Sequence, residues 1–593
     1  MTRSSCLPRA AGVAFVLLAQ AASLAQAPRA TLVTESERSG FVRTGRYAEV
    51  PQLNTAFVKA FPGAVRAFTF GTSAEGRPLH AMAVSRSGAL TAAAARQRGL
   101  PIVLVQGGIH AGEIDGKDAG YLILREMLEG QVGRGVLDKV VVVFVPVYNA
   151  DGHEQFGKWN RPSQRGPEQM GRRNTAQNIN LNRDYVKADA PETQAMLRLF
   201  DEWDPIVYTD LHVTNGSKFE HDVSLQIEPL HLGDAEMGKA GLALRDAVLA
   251  KLAAQGSMPL PYYPELIRQD EPESGFEQTV YQPRFSTSYP ALRNRFSLLL
   301  ETHSWKEYAV RVRVTRNYIL DLLEEAATHG KAWMATAKAA DERAAALAGQ
   351  EVPLDWKNTD VSRLVEFRGY AYTYSPSPIT GRVLIKYDES QPQIWKVPLF
   401  DQVTPALSAR LPAGGYLVLP AFADSVARLL ELHGIGYTRL NAAKPPVGVE
   451  AFHPTKVQFA PTPNEGRQQA SVEGRWAAEQ RALPAGSLFV PSAQRAARLI
   501  AVLFEPLASD SLLSWGQFNP AIAASAYLGA YVAEDIALEQ LKDPAISAEF
   551  TRRLRDPAFA NNPRERIAFF ARRHESFDPD NGMYPVLRLA TAP

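Results

Sequence analysis

His110 and Glu113 stand three residues apart in Gly107-Gly108-Ile109-His110-Ala111-Gly112-Glu113, directly after the apolar run Ile102–Gln106. The two glycines let the backbone turn sharply at the end of that run. A three-residue offset on the following turn then aims an imidazole nitrogen and a carboxylate oxygen at one point. Those donors suit zinc where thiolate is missing. The spacing alone is a weak signal, because the chain has eleven histidines and a surface His–Glu pair reads the same way. A third donor is His212, which closes the apolar run Ile206–Leu211. Polar residues that end such a strand sit at the carboxyl edge of open α/β sheets, where these folds place ligands. Standing alone, His212 would read as a satisfied buried histidine. Asp210 lies two residues earlier, on the same side of a strand, where it can hydrogen-bond a metal-bound imidazole.

Glu301 ends a run as apolar as Phe296-Ser297-Leu298-Leu299-Leu300. A carboxylate there is desolvated unless it meets a cation or has chemical work to do. Beside an activated water it can take a proton and deliver it to a leaving amine. The bland alternative is an ion pair with Arg293 or Arg295. Asn182 and Arg183 follow each other in Asn178-Ile179-Asn180-Leu181-Asn182-Arg183-Asp184-Tyr185. Arginine's planar fork grips a carboxylate in two places and asparagine adds a donor, which fits a substrate with a free carboxylate. Arg172 and Arg173, just upstream, offer charge to the oxyanion of a tetrahedral intermediate. Solvation in a surface loop is the plainer reading for Arg172 and Arg161.

The elements that must position these residues alternate between strand and helix from about Tyr47 to Thr328, which predicts an α/β domain with helices on a sheet. Strands are expected over 66–70, 79–84, 102–106, 139–146, 206–212 and 296–302. Helices are expected over 115–129, 190–203, 234–252 and 310–343. A linker near Gly349–Pro353 then leads to a mixed α/β accessory region, read in two parts, 346–450 and 451–593, the second ending in helices. Leu411-Pro412-Ala413-Gly414 and Leu483-Pro484-Ala485-Gly486 each precede a short strand and a helix, so a duplicated strand–helix unit is expected there. No catalytic cluster is legible after residue 350.

At 593 residues the chain is too long for one ordinary core. Its 46% hydrophobic and 21% charged residues are those of a globular protein. With 64 Lys and Arg against 63 Asp and Glu, nothing favours nucleic acid or anionic membrane as the main partner. Arg3 and Arg9, the apolar run 10–19 and the small residues up to Ala25-Gln26-Ala27 describe a signal peptide over 1–27. The run is shorter than the ~20 apolar residues of a spanning helix. A secreted or periplasmic protein with no stable membrane span is therefore expected. The single cysteine, Cys6, would leave with the signal, so any metal must be held by histidine and carboxylate.

The series His110-x-x-Glu113, Asn182-Arg183, His212 and Glu301, in that order, resembles the zinc metallocarboxypeptidase family of carboxypeptidases A and B. The resemblance runs from Tyr47, through Phe70-Gly71-Thr72-Ser73-Ala74-Glu75-Gly76-Arg77-Pro78, to the Glu301 strand. It implies an α/β/α sandwich with a mixed sheet over 28–345 and one zinc ion per chain, with His110, Glu113 and His212 as ligands. It also implies Asn182 and Arg183 as the grip on a C-terminal carboxylate and Glu301 as the general acid/base. Arg173 best matches the oxyanion arginine. Tyr281 or Tyr289 would match the mobile tyrosine that covers the substrate. A peptide with a free C-terminus is the expected substrate. A deacylase of small acyl amino acids, a hydrolase of cell-wall peptides and an inactive peptide-binding scaffold are the competing readings. The segment between Pro261 and Arg284 is expected to shape the side-chain pocket, and it mixes Arg268 with Asp270, Glu271 and Glu273.

Overall fold

The computed structural model describes residues 1–2, 32–215, 217–523, 529–578 and 580–593. Apart from the first two residues, the expected signal peptide and Cys6 lie outside them. The sheet of the N-terminal half consists of β1 (Val65–Thr72), β2 (Pro78–Val84), β3 (Ile102–Gly107), β4 (Val141–Val145), β5 (Val207–Val213), β6 (Val223–Glu228), β7 (Pro259–Leu260) and a longer strand after β8 (Phe276–Glu277), namely β9 (Phe296–Thr302). Its order is β1-β2-β4-β3-β5-β9-β6-β7. The four central strands β4, β3, β5 and β9 run parallel. β1 and β2 are antiparallel to each other, β2 to β4, and β6 to β9. The sheet is mixed, as expected. β6 was not among the expected strands, although Val223-Ser224-Leu225-Gln226-Ile227-Glu228 alternates cleanly.

Side-chain alternation divides the sheet between two cores. Val103, Val105, Val142 and Phe144 face one side, where the helices Asp115–Leu128, Ala235–Ala254 and Tyr308–Ala345 cover them. Ile102, Leu104, Val141 and Val143 face the other, against Met196, Phe200 and Trp203 of the helix Pro191–Trp203. Both faces are covered, so the central strands are continuous apolar runs rather than alternating ones. The second core does not stop at the N-terminal half. It continues through Val426 and Leu430 of the helix Pro420–Leu432 and Ile500 and Leu503 of the helix Ala497–Phe504.

The C-terminal half differs from expectation in three places. The linker at 349–353 runs straight into a strand, Glu351–Asn358, which pairs with Val403–Arg410. The boundary at 450 falls inside the strand Lys444–Phe459, because one six-stranded sheet takes strands from both sides of it. The chain ends on a strand, Val586–Leu589, and not on helices; it inserts between Gly415–Val418 and Lys444–Phe459. The two strands that follow the repeated Leu-Pro-Ala-Gly, Gly415–Val418 and Leu488–Pro491, lie side by side and antiparallel. No helix among the described residues is long and apolar enough to cross a membrane.

Candidate active site

Because β3, β5 and β9 are parallel neighbours or next neighbours, their carboxyl ends meet at one edge. His212 and Glu301 are direct partners across β5 and β9. His110 follows β3 on a turn where Gly108 has φ +64, a conformation glycine adopts without penalty. A Cβ on Gly107 would lie 2.8 Å from the Pro146 carbonyl oxygen, so β3 can approach its neighbour this closely only with glycine there.

His110, Glu113 and His212 are all buried, and one donor atom from each lies within 4.8 Å of the others. The surface reading of the His110–Glu113 pair therefore fails. His110 Nε2 donates to Asn180 Oδ1 at 3.2 Å, and His212 Nε2 donates to Asp210 Oδ2 at 2.7 Å. Both rings then turn Nδ1 towards Glu113, at 2.9 Å from Oε1 and 3.0 Å from Oε2. Two imidazole lone pairs and a carboxylate facing one another repel unless positive charge lies among them. This is the donor set and the electrostatics of a zinc site, and the residues fit the ion. The outer contacts fit it too: Asp210 also accepts from Ser286 Oγ at 2.6 Å and Gln106 Nε2 at 3.0 Å, which fixes its orientation.

The ionisation of the site follows from burial and these charges. Burial holds the His110 imidazole down, to about 4, so that it stays neutral. Burial would also depress His212, but the Asp210 and Glu113 carboxylates outweigh it and raise it. That nitrogen is built to carry a proton or a metal ion. Glu113 is held well below the usual carboxylate range because the Arg161 guanidinium, 2.8 Å away, overrides the cost of its burial. Burial pushes Glu301 up to about 8, with the Glu113 charge adding to it. Glu301 Oε2 has no hydrogen-bond partner among the described residues. The expected alternative partners are engaged elsewhere: Arg293 with Asp201, and Arg295 with Asp204 and Asp341.

A cleft of about 230 Å³ brings the triad together with Arg173, Asn182, Arg183, Tyr281 and Glu301. The Arg183 guanidinium carbon stands over the Phe285 ring, 3.9 Å from its centre. Burial, then the Arg173 and Arg284 charges, lower its pKa to about 10; this wall of the cleft is strongly positive. Arg173 is 3.5 Å from Glu113 and partly exposed, whereas Arg172 points to solvent. Tyr289 is not at the cleft. It is fully buried, with its hydroxyl 2.8 Å from His433 Nδ1, because the Pro290 turn carries it into the core. Of the expected pocket segment, Tyr263 and Glu265 line the cleft. Arg268 and Glu271 pair with each other in solvent, and Glu273 accepts from Tyr372 and Tyr374.

Sequence reasoning missed Arg161 and Asn180. Arg161 is buried and sits 2.8 Å from Glu113, so solvation is the wrong reading for it. Asn180 holds His110 from 70 residues away. Nothing in local spacing signals either contact.

The sequence profile of the zinc carboxypeptidase family matches residues 52–219. The chain is 25% identical over 426 residues to carboxypeptidase 2 of Trichophyton tonsurans, covering 70% of this chain and 73% of that one. It is 29% identical over 184 residues to carboxypeptidase D of Drosophila melanogaster, which covers 29% of this chain and 12% of that one. Among solved structures it is similar to a metallo-carboxypeptidase from Burkholderia cenocepacia, at 17% identity and a TM-score of 0.33, covering 45% of this chain and 68% of that one. Over residues 52–219 the chain is therefore similar to the zinc carboxypeptidases, and its curated relatives over a longer stretch are carboxypeptidases.

Proposed function

We propose that this protein removes C-terminal residues from peptides, hydrolysing the amide bond next to a free C-terminal carboxylate with one zinc ion per chain. One observation carries the reading: the three converging metal donors, the unpartnered Glu301 carboxylate and the Arg173–Arg183 wall open into the same cleft. A zinc ion held by His110, Glu113 and His212 would supply Lewis acidity, acidifying water and polarising a carbonyl.

The chain's own residues do the rest. Glu301, raised by burial and by the Glu113 charge, would return towards the ionised form of a general base once positive charge filled the triad. Glu301 then takes a proton from water and hands it to the departing amine nitrogen. Arg173 faces the cleft beside the triad and stabilises negative charge on the scissile carbonyl oxygen. Arg183, held over Phe285, presents its fork to the terminal carboxylate. Asn182 reaches the same cleft, while its Oδ1 accepts the Ser286 N–H at 2.9 Å and so fixes its amide. Tyr281 lines the cleft, which supports it as the tyrosine that covers the bound end.

The positive start, short apolar run and small residues of 1–27 support export, and we place the mature protein outside the cytoplasm. The test is a set of benzoylglycyl dipeptides with free or amidated C-termini, assayed with and without 1,10-phenanthroline. Cleavage of the free acids alone, abolished by the chelator, is the expected result. Equal cleavage of the amides would remove the exopeptidase reading, and activity that survives exhaustive chelation would remove zinc.

A further inference from the structure

Among the described residues the C-terminal half carries no candidate metal cluster, yet it reaches the candidate active site. One of its long hairpins, Lys444–Phe459 with Ala470–Leu483, extends to a tip at 460–469. There Asn464 and Arg467 exchange two backbone hydrogen bonds of 2.9 Å around a two-residue turn. The turn residues are Glu465, at φ +47, and Gly466, at φ +79. Two central residues with positive φ are what such a tight turn requires, and asparagine, aspartate or glycine ordinarily fill both places. A glutamate at φ +47 sits in the left-handed region, where its Cβ crowds the backbone. Strain of this kind persists where a side chain is needed at that point.

The Glu465 side chain ends inside the other half of the molecule. Its Oε2 accepts the backbone N–H of Asn180 at 3.0 Å. Asn180 is the residue whose Oδ1 meets His110 Nε2 at 3.2 Å and also accepts the Asn182 N–H at 3.0 Å. Two residues from Glu465, Arg467 grips Asp189 through two N–H bonds of 2.8 and 2.5 Å. The hairpin tip therefore holds the segment 180–189 near both ends, with Asn182 and Arg183 between the two anchors.

We infer that Glu465 is a positioning residue of the active site: from the C-terminal half, it fixes the Asn180 backbone so that Asn180 orients the metal ligand His110 and Asn182–Arg183 face the cleft. The inference rests on the peptidase reading for its substrate effects but not for its metal effects. A contact that only fastened the hairpin to the body would be served equally well by the Arg467–Asp189 pair. Glu465 instead reaches Asn180, which touches both a candidate metal donor and the carboxylate grip.

The test compares full-length wild type with Glu465→Ala, Glu465→Gln and Arg467→Ala. Each is assayed by zinc competition against a fluorescent chelator, by calorimetric binding of benzoylglycine with benzoylglycinamide as control, and by steady-state kinetics. Outer-shell partners of metal ligands are worth about 10–100-fold in affinity, and Glu465 acts one bond further out. Glu465→Ala is therefore expected to weaken zinc retention and benzoylglycine binding by about 3- to 10-fold each. KM should rise in step, with kcat and the unfolding temperature close to wild type. Glu465→Gln, whose carbonyl still accepts the Asn180 N–H, should recover most of both. Wild-type zinc retention and KM in Glu465→Ala would overturn the inference. So would a loss matched by Arg467→Ala and tracking the unfolding temperature, since that marks a purely structural contact. If wild type binds zinc but cleaves no peptide, the peptidase reading falls, and zinc retention in Glu465→Ala still decides the positioning role.

Discussion

His433 joins the two halves of the molecule, and its chemistry predicts how they come apart in acid. It is fully buried at the end of the helix Pro420–Leu432, with Nε2 3.0 Å from the Val186 carbonyl oxygen. A carbonyl only accepts, so Nε2 carries the proton and Nδ1 accepts from the Tyr289 hydroxyl. The neutral ring is satisfied on both sides and has no use for a second proton. Burial lowers its pKa from the ordinary 6.5 to about 4. The unfolded chain therefore binds the proton more readily than the folded one, and stability falls as pH falls through the window from 6.5 to 4. Between pH 7.5 and pH 5 this single group should remove about 2 kcal/mol, and about 3 kcal/mol once pH is below 4. In His433→Gln the amide can replace both hydrogen bonds but cannot titrate. Urea unfolding of both proteins at pH 7.5 and 5, followed by tryptophan fluorescence, should show the variant losing about 2 kcal/mol less than wild type. Other buried histidines, His153 and His303 among them, titrate in both proteins and cancel. Equal acid losses in the two proteins would refute the reasoning.

Asp210→Asn keeps the shape beside His212 but removes the charge that its Nε2–H faces, and should weaken zinc binding about 10- to 100-fold in competition with a chelator; unchanged affinity would show that the Asp210 charge does not support the ligand. Arg284→Met strips the main cation from the buried Asp510, which Arg284 contacts twice at 2.7 Å, and should cost about 3 kcal/mol in urea unfolding. Because Arg284 also belongs to the segment that carries Tyr281 and Phe285, KM should rise in the same variant. Arg183→Gln should depress kcat/KM on free-acid peptides by about 30-fold or more and leave the already poor hydrolysis of amides unchanged, since only the acids meet the fork.

The convergence of the candidate metal donors was legible because each sits where sequence pattern has a fixed geometric meaning. His110 and Glu113 share one turn after a strand, and His212 and Glu301 each close an apolar run; parallel pairing then brings the runs' ends together. Arg161 and Asn180 follow no such rule. They lie in irregular segments, and their contacts with Glu113 and His110 depend on how those segments are draped over the sheet edge. Tyr289 was misplaced because a tyrosine before proline reads equally as a loop residue or as the buried start of a turn, and here it is buried against Tyr185, Phe200 and His433. In the C-terminal half, the last strand is only four residues long and its pairing partners lie more than 100 residues away. The reach of Glu465 to Asn180, across 285 residues, has no local signature at all.

Zinc-edge anomalous diffraction from crystals of the full chain tests the central claim most directly. The account predicts a single strong peak at the end of β5, with one nitrogen each of His110 and His212 and an oxygen of Glu113 about 2.0–2.2 Å away. A peak elsewhere, or a zinc-loaded protein in which these three side chains keep only one another as partners, would contradict it.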